Sequence, residues 1–233
     1  MYMSILSVII PVFNEEKRIG STLPQIQGFL NSKNIEHEII AVDDGSTDNS
    51  VEIVKKFPDV QIIKHDKNKG KGAAVKTGIQ AAQGDFILFT DADNSTPIEQ
   101  FNNFGNKKNE YDILIGSRYL PKSNIKLKQP WHRNIITFFG NKTIRIILGI
   151  KHKDTQCGFK FFKKNVAKDL IQNQTIDRWG FDIELLYLAK KKNYSVKEIP
   201  VTWIDSPDSK VKPFDFLKTF AELLKIRFTK YKI

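Results

Sequence analysis

Five short apolar runs in the first half of the chain do not alternate with polar residues: LSVIIPVF, HEIIAV, VQIIKH, GDFILFT and YDILIG. A strand that is apolar on both sides must be covered on both faces. The stretches between the runs have helical spacing, as in Ile19, Leu23, Ile26 and Leu30. Strands alternating with helices predict an α/β fold, a mostly parallel central sheet with helices on both faces. Ligands of such sheets bind outside the carboxyl ends of the strands. At those ends stand PVFNE, DDGSTD, the glycine loop KNKGKG, TDAD and GSR, so the polar groups of the first half fall at one sheet edge.

The turns predict helix starts. STDNSVEIVKKF reads as a helix with Ser46 or Thr47 as N-cap, and PIEQFNNFGNK as a helix with Pro97 in its first turn. The second half is less regular. WHRNIITFFGNKTIRIILGI reads as an amphipathic helix, KDTQCGFKFFKK as a loop and strand, and GFDIELLYLAKKKN as a helix. SVKEIPVTW reads as one strand, and FDFLKTFAELLKIRFTKYKI as a closing amphipathic helix with a basic polar side.

Charge is unevenly placed. The net value is +11, yet residues 1–121 hold 13 Lys and Arg against 16 Asp and Glu, while residues 122–171 hold 12 against 2. An anionic partner met by only part of the chain fits this pattern. The single cysteine, Cys157, allows no intrachain disulfide, which makes a reducing cytoplasm the default, and it reads as a small buried side chain. The start, MYMSILSVIIPVFNEE, has no basic leader pattern and is expected to be the first core strand. No apolar run reaches the roughly 18 residues of a spanning helix.

Asp91 and Asp93 close the fourth strand one residue apart. Two carboxylates converging on one spot repel, and a divalent cation relieves that. Mg²⁺ and Mn²⁺ prefer oxygen ligands and share them with phosphates; either aspartate alone could instead cap the next helix. Asp43 and Asp44 end the second strand, where a carboxylate can accept bonds from a base or a ribose. Gly70 and Lys71 lie where backbone amides can approach a phosphate at a helix start. Arg118 ends the fifth strand and is a fork-shaped donor suited to a diphosphate. Together these describe a nucleotide-sugar site with a metal and a basic rim.

The motifs SVIIPVFNEE, EIIAVDDGSTDNS, KNKGKGAAVKTGI, GDFILFTDAD and GSR, in this order, resemble the family 2 inverting glycosyltransferases of the GT-A fold. DTQCGFKFF, RWGFDIELL and IPVTWIDSPDSKV resemble the dolichyl-phosphate β-glucosyltransferase branch, related to dolichol-phosphate mannose synthase. The likeness covers residues 5–227. It implies a GT-A-like, Rossmann-related sheet over residues 1–205, with a donor half at 1–121 and an acceptor half at 122–205. Residues 206–233 form a basic amphipathic C-terminal segment. By the same resemblance Pro11, Asn14 and Glu15 line the nucleotide, and Asp43 and Asp44 lie near uracil and ribose. Asp91 faces the sugar and ribose, Asp93 the metal, and Arg118 the diphosphate. Gln156 belongs to an acceptor loop, Asp182 is the acidic residue of an acceptor helix, and Ser209 and Lys210 approach phosphate. At position 94 the relatives carry glycine or an apolar residue; Asn94 here bears on the choice of sugar.

The reaction so implied moves a hexose, glucose from UDP-glucose, with Mg²⁺ or Mn²⁺ as cofactor. A saccharide hydroxyl as acceptor would need a general base, Asp182 or Asp154. A polyprenyl phosphate is already anionic and needs cations, for which Arg133, Arg145 and Lys160 are candidates. The lipid phosphate is the preferred expectation and a glycan hydroxyl the alternative. Such an acceptor places the protein peripherally on the cytoplasmic face of an anionic membrane, held by the closing helix. A basic nucleic-acid binder is the rival from another class. It lacks an aromatic–basic binding motif and has acidic strand ends, so no nucleic acid is expected. A sugar nucleotidyltransferase is disfavoured by the first strand turn.

Overall fold

The structure, a computed structural model, describes residues 4–126, 131–204 and 215–232, with backbone alone over 131–139 and 215–217. In chain order the first half runs β1 (Leu6–Val12), α1 (Ile19–Ser32), β2 (His37–Asp43), α2 (Ser50–Val54), β3 (Val60–Lys64), α3 (Lys71–Ala81) and β4 (Phe86–Thr90). A 3₁₀ helix (Ile98–Phe104), α4 (Lys107–Glu110) and β5 (Ile113–Ser117) complete it. The second half holds β6 (Asn124–Ile125), α5 (Trp131–Leu148), β7 (Phe159–Lys163), α6 (Lys164–Gln172) and α7 (Phe181–Lys191). It closes with β8 (Val196–Pro200), β9 (Thr202–Trp203) and α8 (Asp215–Phe228).

Seven strands form one sheet in the order β3-β2-β1-β4-β7-β5-β8, and β6 pairs with β9 beside it. All neighbours in the large sheet are parallel except β7, which runs antiparallel to both β4 and β5. Two apolar layers cover its faces. Ile9, Ile40, Phe89, Ile115 and Phe162 lie in one with α3, α6 and α7; Val8, Ile10, Ile39, Leu88 and Phe161 lie in the other with α1 and the 3₁₀ helix. Neighbouring residues of one strand enter opposite layers, which is why the runs are apolar throughout.

Several predicted elements change. α2 starts at Ser50 after Asn49, not at Ser46 or Thr47. Gly45 (φ 75°) turns the chain first, and Ser46 and Thr47 bond to the loop after β1 instead. The helix expected after Pro97 is a 3₁₀ turn broken at Gly105 (φ 43°), followed by one turn of α4. SVKEIPVTW divides at Val201 into β8 and β9. α6 was absent from the expected elements, although Val166, Ala167, Leu170 and Ile171 make a buried helical stripe. The run read as loop and strand stopped at Lys164, and the stretch after it was given no element.

The closing helix packs on the domain through Leu223 and Ile226, both buried. It is tied further by Tyr231, whose hydroxyl donates to Glu184 at 2.8 Å. Among the described residues no helix is long and apolar enough to cross a membrane.

Candidate active site

The loops after β1 and β2 are sewn together. Asn14 adopts φ 53°, donates its N–H to Ser46 Oγ (2.9 Å) and accepts at Oδ1 from Thr47 N (2.8 Å). Glu15 N donates to Ser50 Oγ, and the Glu15 carboxylate holds Arg18 at 2.6 Å. Pro11 is part of β1, paired with Val42.

Asp43 and Asp44 are both buried and serve different loops. Asp43 Oδ1 accepts from Ser46 N at 3.2 Å. Asp44 accepts from Lys69 N (2.9 Å) and Gly70 N (2.8 Å), and its Oδ1 meets His65 Nδ1 at 2.7 Å. His65 reaches on to Thr77 Oγ1 at 2.9 Å. Asp44 therefore fixes the glycine loop. His65 was missed, yet it follows β3 directly and so belongs to the same edge. Gly70, at φ 113°, lies against the Asp177 carbonyl, which leaves no room for a side chain.

Lys71, the first residue of α3, carries its ammonium 2.6 Å from Asp91 Oδ1. The same nitrogen sits 5.3 Å from the Phe89 ring centroid and 5.4 Å from that of Trp179. Burial works against the Lys71 charge, but Asp91 and Asp182 outweigh it and raise its pKa. Burial also pushes the Asp91 carboxyl up, against Lys71, with Asp93 and Asp182 adding repulsion. Asp93 Oδ1 accepts from Ser95 N at 2.9 Å, so it also orders the turn.

Asn94 has φ 50°, a conformation that glycine and asparagine tolerate best. Its amide donates to Gln25 at 2.8 Å. That geometry accounts for an asparagine at this turn.

The second half reaches the same edge because β7 is antiparallel: its entry, not its exit, lies beside the end of β4, with Phe159 opposite Thr90. Gly158 there packs directly against the Asp91 carboxylate. Gln156, two residues earlier, is half-buried. Cys157 is buried beside Thr96, and burial pushes its thiol up to about 12, so it is inert.

Two of the expected roles meet a different geometry. Lys160, a candidate phosphate ligand, is wholly buried between β4 and β5; its ammonium donates to the Cys157 carbonyl (2.6 Å) and pairs with Asp182. A lysine in mid-sheet has no water to reach, so it must be paired inside. Asp154, a candidate base, is fully buried and grips Arg118. Its Oδ2 accepts from Arg118 Nε (2.8 Å) and N (2.9 Å), and its Oδ1 from Nη2 (2.9 Å). Burial opposes its charge, but Arg118 holds the Asp154 carboxyl below the usual range, which removes it as a base. The guanidinium lies 5.3 Å from the Trp203 ring and 5.4 Å from Tyr119.

Arg133 and Arg145 lie on α5, Arg133 as backbone only; Ser209 and Lys210 lie outside the described residues. Asp91, Asp93, Lys71, Asp182 and Trp179 thus stand together, with Arg118 at the end of β5 on the same edge. No cluster of three His, Cys, Asp or Glu side chains fit to hold a metal occurs among the described residues. The protein's share of an oxygen-ligated cation would be Asp91 and Asp93.

The dolichyl-phosphate β-glucosyltransferase of Dictyostelium discoideum is 35% identical over 241 residues, spanning 96% of this chain and 74% of that protein. The Homo sapiens protein of the same name is 32% identical over 95% of this chain and 74% of its own length. Glucosyl-3-phosphoglycerate synthase of Mycobacterium tuberculosis, solved with Mn²⁺, UDP-glucose and phosphoglyceric acid, superposes with TM-score 0.72. That match has 17% identity and covers 97% of this chain and 81% of the other, a likeness of fold. The family model for glycosyl transferase family 2 matches residues 7–171, from β1 into the last turn of α6, and the chain belongs to that family.

Proposed function

We propose that the protein transfers glucose from UDP-glucose to a polyprenyl phosphate, dolichyl phosphate or a related lipid, with inversion at the anomeric carbon. The observation that carries this reading is the state of its buried carboxylates. Asp154 is locked to Arg118, and Asp182 is paired with Lys160. An alcohol acceptor needs a base to take its proton. A lipid phosphate arrives deprotonated and needs none, so a site whose candidate bases are already engaged suits it. The 35% likeness to a dolichyl-phosphate β-glucosyltransferase supports the same acceptor and sugar.

Asp91 and Asp93 would hold Mg²⁺ or Mn²⁺, which supplies charge neutralisation at the diphosphate when bound. The acceptor phosphate oxygen attacks the anomeric carbon and forms the new C–O bond. The bond from that carbon to the β-phosphate oxygen breaks with its electron pair, releasing UDP. Negative charge grows on the departing diphosphate, and Lys71 and Arg118 are the cations placed to meet it. Arg118 keeps Nη1 outside the fork with Asp154. Pro11, Asn14, Glu15 and Asp43 are assigned to the nucleotide, and Asp44 with Gly70 to the shape of the loop below the phosphates. Gln156, Arg133, Ser209 and Lys210 are assigned to the acceptor.

Purified protein given UDP-glucose, Mn²⁺ or Mg²⁺ and a short polyprenyl phosphate is expected to yield a lipid-linked hexose, detected by mass spectrometry. Chelation should abolish it. Glucosylation of a saccharide, with no lipid product, would replace this reading by the hydroxyl-acceptor alternative.

The membrane is met, on this proposal, by the outer face of α8. Phe220, Leu224 and Phe228 recur at i, i+4 and i+8, with 47%, 39% and 77% of their surfaces exposed. Lys225, Arg227 and Lys230 stand beside them, a composition suited to an anionic interface. Replacing all three by serine should weaken sedimentation with anionic vesicles by at least about tenfold, since each apolar side chain contributes on the order of 1 kcal/mol when partly inserted. Unchanged sedimentation would remove α8 from this role.

A further inference from the structure

Trp179 belongs to no role assigned so far, yet the fold fixes it at the centre of the site. It lies in the segment joining α6 to α7, and that segment is pinned on every side. Gln174 Nε2 donates to the Gly72 and Ile176 carbonyls at 3.0 Å, and Ala73 N donates to Asp177 O at 3.0 Å. Thr175 N and Ile176 N donate to the buried Glu184 carboxylate. Gly180 N donates to Glu222 of α8 at 2.8 Å. A residue held between such anchors has little freedom to swing away.

The indole is half-buried and so half-open. The Lys71 ammonium that pairs with Asp91 sits over it, 5.4 Å from the ring centroid. Asp182 follows three residues later, and its charge reaches both Lys71 and Asp91. The ring therefore lies beside the Lys71–Asp91 pair, three residues before Asp182 at the start of α7. On the reading proposed above, that pair adjoins the donor's diphosphate and sugar, and Trp179 is the aromatic face beside it.

We propose that Trp179 is the platform for the hexose ring of the donor, with Lys71 beside it on the diphosphate. A hexopyranose presents weakly positive C–H hydrogens on one face, and the indole face carries the complementary negative potential. A flat apolar surface beside a few polar groups also fits how small ligands are oriented. Trp179 would thus recognise the sugar and leave the nucleotide to the loops after β1 and β2.

The inference rests on the donor being a UDP-sugar, and the test separates the two. Titration calorimetry with Mn²⁺ compares UDP-glucose with UDP on wild type, Trp179→Ala and Trp179→Phe. Trp179→Ala is expected to weaken UDP-glucose by about tenfold while UDP changes less than about twofold; Trp179→Phe should recover most of the loss. A merely structural tryptophan would move both ligands together, so equal loss of UDP and UDP-glucose overturns the platform. So does unchanged binding of UDP-glucose. Wild type that binds neither ligand overturns the donor reading itself. Should the alanine variant not fold, Trp179→Leu, which keeps apolar bulk but has no ring face, takes its place and is expected to weaken UDP-glucose about tenfold with UDP changed less than about twofold.

Discussion

Gly158→Ala is expected to cost at least about a hundredfold in turnover, although it adds one methyl group. A Cβ at position 158 would lie 2.6 Å from Asp91 Oδ1 and closer still to the rest of that carboxylate. The backbone there does not require glycine for its own conformation, so the clash is the whole effect. The methyl group cannot move away easily, because the next residue, Phe159, is already paired with Thr90 in the sheet. Asp91 must rotate instead, leaving Lys71 and the position from which it would hold the donor. A displacement of about 1 Å at such a centre costs on the order of 10²-fold. The measurement is kcat/KM for lipid-linked product, together with calorimetric binding of UDP and Mn²⁺. Thermal unfolding of the same variant shows whether the chain still folds. Turnover within threefold of wild type in a folded variant would mean that Asp91 does not need its present place.

Asp154→Asn should destabilise the folded protein by about 3–5 kcal/mol at neutral pH, the usual cost of removing one partner of a buried ion pair. Arg118 would keep its charge in a site where its side chain is only 15% exposed, with one fork oxygen replaced by an amide. The effect has a pH signature with a definite sign. Arg118 lowers the folded pKa of Asp154, so the pair's contribution is present above the unfolded carboxylate pKa of about 3.9. It is lost as pH falls through the folded value. The gap between wild type and variant in urea unfolding should therefore be full at pH 7 and should shrink at the acid end. A gap below 1 kcal/mol at pH 7 would show that Arg118 finds another partner. Turnover should fall as well, because Trp203 and Asp154 together set where the guanidinium points.

Much of this protein follows from local pattern. The apolar runs that end in Asp43, Asp91 and Ser117 could only be doubly covered strands, and the rule for parallel sheets then brought their polar ends to one edge. Gly70 and Lys71 at the start of α3 were legible for the same reason. α6 was legible too, in Val166, Leu170 and Ile171, although the stretch was given no element.

What the chain does not disclose locally is partnership at long range. Lys160 looked like a surface cation because lysine usually is one; only the insertion of β7 between β4 and β5 makes it a buried counter-ion for Asp182, 22 residues away. Asp154 looked like a base until its fork with Arg118, 36 residues distant, occupied both oxygens. Gly158 and Trp179 lie within DTQCGFKFF and RWGFDIELL, yet neither had a role there; they stand out only because they abut groups from β4 and α3. Periodicity and turn chemistry act between near neighbours, so local pattern was enough for the first-half strands, their covered faces and the edge at which their carboxylates emerge. The pairing of charges depends on which strand slides between which, and on a dry interior where each charge must find its opposite. That assignment, which ties Asp154 to Arg118 and Asp182 to Lys160, came only from the tertiary packing.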